Sequence, residues 1–152
     1  MFKHFLVPTD GSELSQHAVR AAIELATTVG ASITVYHATQ NYPVSPFAEY
    51  VPADVLSPDE FDQRQAERAQ AIVSEVKALA DAAGVACDTH YAVADSPWQG
   101  IVKAALDKDC DLIFMSSHGR RGIAAVMLGS ETNRVLTHCH IPVLVYREYE
   151  GK

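Results

Sequence analysis

Several absences narrow what this chain can be. Cysteine is scarce: Cys87, Cys110 and Cys139 are an odd set with no C-x-x-C spacing, which reads as reduced thiols and not as a disulfide framework. Basic residues are outnumbered, 12 Lys and Arg against 19 Asp and Glu for a formal net charge of -7. Nucleic-acid partners are therefore not expected, because binding a phosphate backbone needs clustered cations. No apolar run approaches the roughly 20 residues needed to span a bilayer, so no membrane partner is expected either. Met1-Phe2-Lys3-His4 leads straight into strand-like sequence without a signal-peptide pattern, and a cytoplasmic location is the expectation.

What is present is ordinary globular material, 48% hydrophobic and 20% charged over 152 residues, enough for one domain, 1–152, to bury a core unaided. No internal repeat is visible. His4 to Val7 is a short apolar run, broken by the turn residues Pro8-Thr9-Asp10-Gly11-Ser12. Leu14, Ala18, Ala21, Ala22, Leu25, Ala26 and Val29 then recur at helical steps, with Ser12 as the expected N-cap and Gly30 as the stop. Ile33 to Ala38 reads as a second strand, followed by the proline-bearing segment from Thr39 to Leu56, which is either functional or simply a long loop.

Ser57-Pro58-Asp59-Glu60 combines an N-cap, a proline at the first helical position and a capping-box glutamate. Its helix ends at Gly84. Val85 to Val93 predicts a less hydrophobic edge strand, and Ser96-Pro97 opens a helix through about Leu106. Asp111 to Met115 is unbroken and apolar enough for a central strand. A glycine-bearing loop from Ser116 to Gly129 leads to a helix from Ser130 to about His138, and Ile141 to Tyr146 is the fifth strand.

Such alternation implies an α/β fold: a doubly wound three-layer sandwich with a five-stranded parallel sheet. Ligands of these sheets bind beyond the carboxyl ends of the strands, where the strand order reverses. The loops after the first, second and fourth strands are thus where a site is expected.

Gly129-Ser130 at a helix start is a plausible phosphate cradle, since glycine lets backbone amides approach an anion and the helix terminus adds unpaired N–H groups. The plainer alternative is that Gly119 and Gly122 permit a turn and Ser130 caps its helix. Asp10 is either a ligand group or the organiser of an Asx turn. Arg120 and Arg121 are either phosphate partners or solvated charges. His118 suits a structural role in the loop. His138-Cys139-His140 lacks the second ligand pair of a zinc site, Cys110 reads as a small buried hydrophobe, and Trp98 as packing for its helix.

Pro8-Thr9-Asp10-Gly11-Ser12, Ser117-His118-Gly119, nine residues, Gly129-Ser130, and the closing Pro142-Val143-Leu144-Val145 together resemble the universal stress protein family, over Phe2 to about Arg147. The family motif is Gly, two residues, Gly, nine residues, then Gly and Ser or Thr; here Ser116 replaces the first glycine. The resemblance implies a Rossmann-like sheet in strand order 3-2-1-4-5 and a site for ATP, ADP or AMP, with magnesium reached through the nucleotide. It places Asp10 by the ribose or metal, Ala38 and Met115 by the base, and Ser116, Gly119, Arg120, Gly129, Ser130, Glu131 and Thr132 around the phosphates, with Pro8 also nucleotide-binding. Ser116 either crowds the ligand or donates to it, and Glu131 would repel phosphate unless Arg120, Arg121 or magnesium offsets its charge.

No nucleophile with an adjacent base, G-x-S-x-G elbow or paired metal-binding carboxylates is evident. A nucleotide-responsive binding protein is expected, with at most slow ATP hydrolysis. Its rivals are a ligand-free interaction dimer and a slow metal-dependent nucleotide hydrolase that relies on Asp10. The resemblance implies a homodimer through the last strand, Ile141 to Tyr146.

Overall fold

β-Branched and aromatic runs form the strands of this protein, and the alanine-rich periodic stretches form its helices. The computed structural model describes residues 1–118 and 128–148, as β1 (His4–Pro8), α1 (Glu13–Val29), β2 (Ser32–Thr39), α2 (Pro58–Ala82), β3 (Cys87–Val93), α3 (Pro97–Asp107), β4 (Leu112–Ser116), α4 (Ser130–His138) and β5 (Val143–Tyr146). All pairings are parallel and the order is β3-β2-β1-β4-β5, the doubly wound arrangement expected from the alternation of elements. Strand order reverses between β1 and β4, so the switch point lies at their carboxyl ends.

Successive residues of a strand point to opposite faces, and both faces of the central strands are covered. Phe5 and Val7 of β1 join Ile33, Val35 and Phe114 in a core with α1 and α2. Leu6 joins Tyr36, Ile113 and Met115 in a second core with α3 and α4, which supply Ile101, Ala104, Ala105 and Val135. The mixed composition of β3 is explained by its edge position, with Thr89, Tyr91 and Val93 exposed.

Local signals act as the sequence suggests. The Ser12 hydroxyl accepts from the Ser15 amide at the start of α1, and Gly30 closes that helix at φ 67°. Ser57 and Glu60 form the reciprocal capping box of α2.

Two strands start two residues later than expected, for identifiable reasons. The Val85 amide returns to Ala80 O as part of the α2 terminus, so β3 begins at Cys87. Pro142 has no N–H and the Ile141 amide donates to Cys139 Sγ, so β5 begins at Val143.

Candidate functional site

The loop after β1 is held from several sides. The Thr9 amide donates to Tyr36 O at 2.9 Å, and His37 Nδ1 donates to Thr9 O at 2.8 Å. The Thr9 hydroxyl contacts Ser15 Oγ at 2.9 Å and accepts from the Gly11 amide at 3.2 Å. With Gly11 at φ 77°, a left-handed conformation suited to glycine, the Ser12 amide reaches Asp10 Oδ1 at 2.9 Å. The Asx turn is therefore real, and it fixes the Asp10 carboxylate at the mouth of the switch point.

Beyond β4, the chain is tied to the start of α4 by backbone and threonine bonds. The Gly129 amide donates to Ser117 O at 2.8 Å, and the Thr132 hydroxyl donates to Ser116 O at 3.0 Å and to Ser117 O at 3.3 Å. Gly129, not Ser130, is the N-cap: its backbone is extended, at φ -58° and ψ 151°, while its carbonyl already accepts from the Asn133 amide. This corrects the capping role considered for Ser130, which is an exposed first helical residue. The approach is close at 129, where a Cβ would lie 3.0 Å from Ser117 O and 3.4 Å from His118 Cα, so any larger residue would have to push the Ser117 backbone aside by a few tenths of an ångström.

No side-chain cap closes α4. The amides of Ser130, Glu131 and Thr132 have no intrahelical acceptor by helix geometry, and they find none among the described residues. The helix dipole adds partial positive charge at the same place.

The remaining site residues divide by face. Ala38 is half-buried and Met115 buried, both against the α3 and α4 core, and Pro8 shares the face of Leu6 by strand alternation. All three lie on the α3 and α4 face of the sheet at the carboxyl ends of β1, β2 and β4, the edge that carries the Asp10 loop and the connection to α4. The Ser116 hydroxyl donates to His118 O at 2.7 Å and accepts from the His118 amide, so it is turned into its own loop. Ser117 Oγ lies 3.1 Å from His118 Nδ1, a hydroxyl–imidazole contact that the sequence reading passed over. Ser117 is buried, which leaves it poorly placed for attack. Gly119, Arg120, Arg121 and Gly122 lie outside the described residues.

Glu131 is placed differently from the expectation of a carboxylate facing phosphate. Its Oε2 accepts the Trp98 amide at 2.8 Å and its Oε1 accepts from Arg134 at 3.3 Å. Trp98 also stacks on His138, ring centroids 4.6 Å apart, and His138 Nδ1 donates to Arg134 O. The His138-Cys139-His140 stretch thus ends a helix, and among the described residues no group of three His, Cys, Asp or Glu is arranged to hold a metal ion.

A depression of about 780 Å³ lies elsewhere, beneath the segment after β2, lined by Tyr42, Pro46, Val55, Leu56 and Glu60 among others. It shares no residue with the loops after β1 and β4. Its one carboxylate, Glu60, is held by the Ser57 amide and hydroxyl.

The fold defines a class, the doubly wound α/β proteins with a parallel five-stranded sheet. The sequence model of the universal stress protein family matches residues 1–147, and the chain belongs to that family. Universal stress protein MJ0531 of Methanocaldococcus jannaschii is 32% identical over 148 residues, covering 97% of this chain and 84% of its own. Among solved structures, hypothetical protein MJ0577 superposes with a TM-score of 0.81 at 26% identity, covering 99% of each chain. A universal stress protein in complex with cAMP superposes with a TM-score of 0.69 at 27% identity, covering 97% of this chain and 99% of its own. Among the described residues no helix is long and apolar enough to cross a membrane.

Proposed function

We propose that this chain is a single-domain, cytoplasmic, adenine-nucleotide-binding regulatory protein. The observation that carries the reading is the pairing of the Asp10 loop with the uncapped start of α4 across one switch point. Asp10 would meet the ribose or a nucleotide-bound magnesium ion, Pro8, Ala38 and Met115 the base, and the Ser130, Glu131 and Thr132 amides the phosphates. The Thr132 hydroxyl is occupied by the Ser116 and Ser117 carbonyls, so that residue contributes its backbone. The cAMP complex of a related protein supports an adenine nucleotide as ligand; ATP is our specific choice.

Binding, more than turnover, is the expected activity. The described residues around the switch point offer positioning and charge stabilisation but no exposed nucleophile paired with a base, so ATP hydrolysis should be slow. Heat-denaturing freshly purified protein and separating the supernatant by anion exchange should release adenine nucleotide. A blank trace together with no measurable ATP affinity would remove the reading.

A second reading, a ligand-free interaction dimer, draws on β5. Its four residues, Val143 to Tyr146, are only half-buried and form a sheet edge, whose unpaired backbone groups favour pairing with a second copy. We include this homodimer in the main proposal as well, so nucleotide binding alone separates the two.

A further inference from the structure

Glu131 stands where two helices begin. It belongs to the first turn of α4, yet its carboxylate accepts the Trp98 amide at the second position of α3, 33 residues earlier in the chain. That position needs an acceptor: Ser96 is the N-cap of α3 but makes no side-chain capping bond, and Pro97 supplies no N–H. The negative charge also opposes the α3 dipole. Trp98 meets α4 a second time where its indole stacks on His138, so one residue is held at both ends of that helix.

We propose that Glu131 is a positioning residue that couples the phosphate-facing turn of α4 to the start of α3, and that its charge is spent on α3 and not on the ligand. The coupling rests on the nucleotide reading given above, whereas the strut rests on geometry alone. Because thermodynamic linkage is reciprocal, cutting the strut should weaken nucleotide binding, and bound nucleotide should further protect the Trp98 amide.

The test uses the full chain in three forms: wild type, Glu131→Gln, which keeps an acceptor oxygen, and Glu131→Ala, which does not. Without nucleotide, the Trp98 amide should exchange with solvent slowly in the first two and roughly tenfold faster in the third, at closely similar melting temperatures. In ATP titrations by calorimetry, Glu131→Gln should match wild type within about threefold and Glu131→Ala should bind roughly tenfold more weakly.

Equal exchange in all three proteins would overturn the strut. Tighter ATP binding by both variants would show that the charge repels phosphate, and equal affinity in all three would show that the ends are uncoupled; either overturns the proposal. A wild type that binds no ATP would overturn the nucleotide reading and the coupling together, and the exchange pattern tells that outcome from a failed strut.

Discussion

Tyr36 and Gly100 meet where α3 crosses β2. The Tyr36 hydroxyl is buried without a hydrogen-bond partner among the described residues, and a Cβ added at Gly100 would fall 2.3 Å from it and 2.9 Å from Ala94 Cβ. Removing the hydroxyl in Tyr36→Phe should leave stability unchanged or raise it by about 1 kcal/mol, because an unsatisfied buried donor is costly. Gly100→Ala should destabilise by roughly 1–3 kcal/mol through overpacking, despite alanine's better helix propensity. The double variant should be less damaged than the two effects summed. Urea unfolding of all four proteins measures this, and strict additivity would contradict the contact.

At the same scale, burial pushes the Cys110 thiol up to about 11 and raises Cys87 as well. A folded-state value above the unfolded one favours the native state fully below the unfolded value of 9.0, and that contribution fades as pH climbs through 11. Melting temperature should therefore fall between pH 8.5 and 10.5 by more in wild type than in Cys110→Ala. Equal losses would contradict the buried-thiol account. The half-buried Cys139 should be the first of the three to be alkylated at pH 8, read by mass spectrometry.

Elements follow their caps. In α2 the Ser57 amide and then its hydroxyl lower the Glu60 carboxyl below its usual 4.5, with Arg64 adding a smaller share. A depressed carboxyl stabilises the fold above its unfolded value, and the benefit is lost as pH falls through the folded one. Ser57→Ala should cost about 1 kcal/mol near neutral pH, and its deficit relative to wild type should shrink below pH 4, as followed by thermal unfolding. A deficit independent of pH would mean that the box contributes only its neutral bond.

These caps were legible because they are local: Ser12, Gly30, Ser57 and Glu60 each act within one turn of chain. The edge position of β3 was legible too, from polar residues at alternate places. Contacts between distant segments were not. The pull of Trp98 on Glu131 and of the Ser116 and Ser117 carbonyls on Thr132 depends on how α4 lands against α3 and the end of β4. The sequence placed both side chains by the phosphates, whereas tertiary partners claimed them. The shift of the α4 cap from Ser130 to Gly129 has the same origin, since the close approach of Ser117 O favours glycine there.

For the whole molecule, the doubly wound parallel sheet was legible from strand and helix alternation, whereas its order was legible only through the family resemblance, because more than one order satisfies right-handed crossovers. That order sets the site, since it brings the β1 and β4 loops together at the reversal. It also leaves β5 at an edge, so the wild type should sediment with the mass of two chains. Val145→Asp, which places a charge on that strand, should sediment as one, and a monomeric wild type would contradict the paired edge.

The most direct test of the account is calorimetric titration of ATP with magnesium into nucleotide-stripped wild type and Asp10→Asn. The substitution keeps an oxygen for the Ser12 amide, so the turn survives while the carboxylate charge is lost. The account predicts saturable binding of one ATP per chain and an affinity lower by about tenfold in Asp10→Asn. No heat of binding in the wild type, or identical affinities in the two proteins, would contradict it.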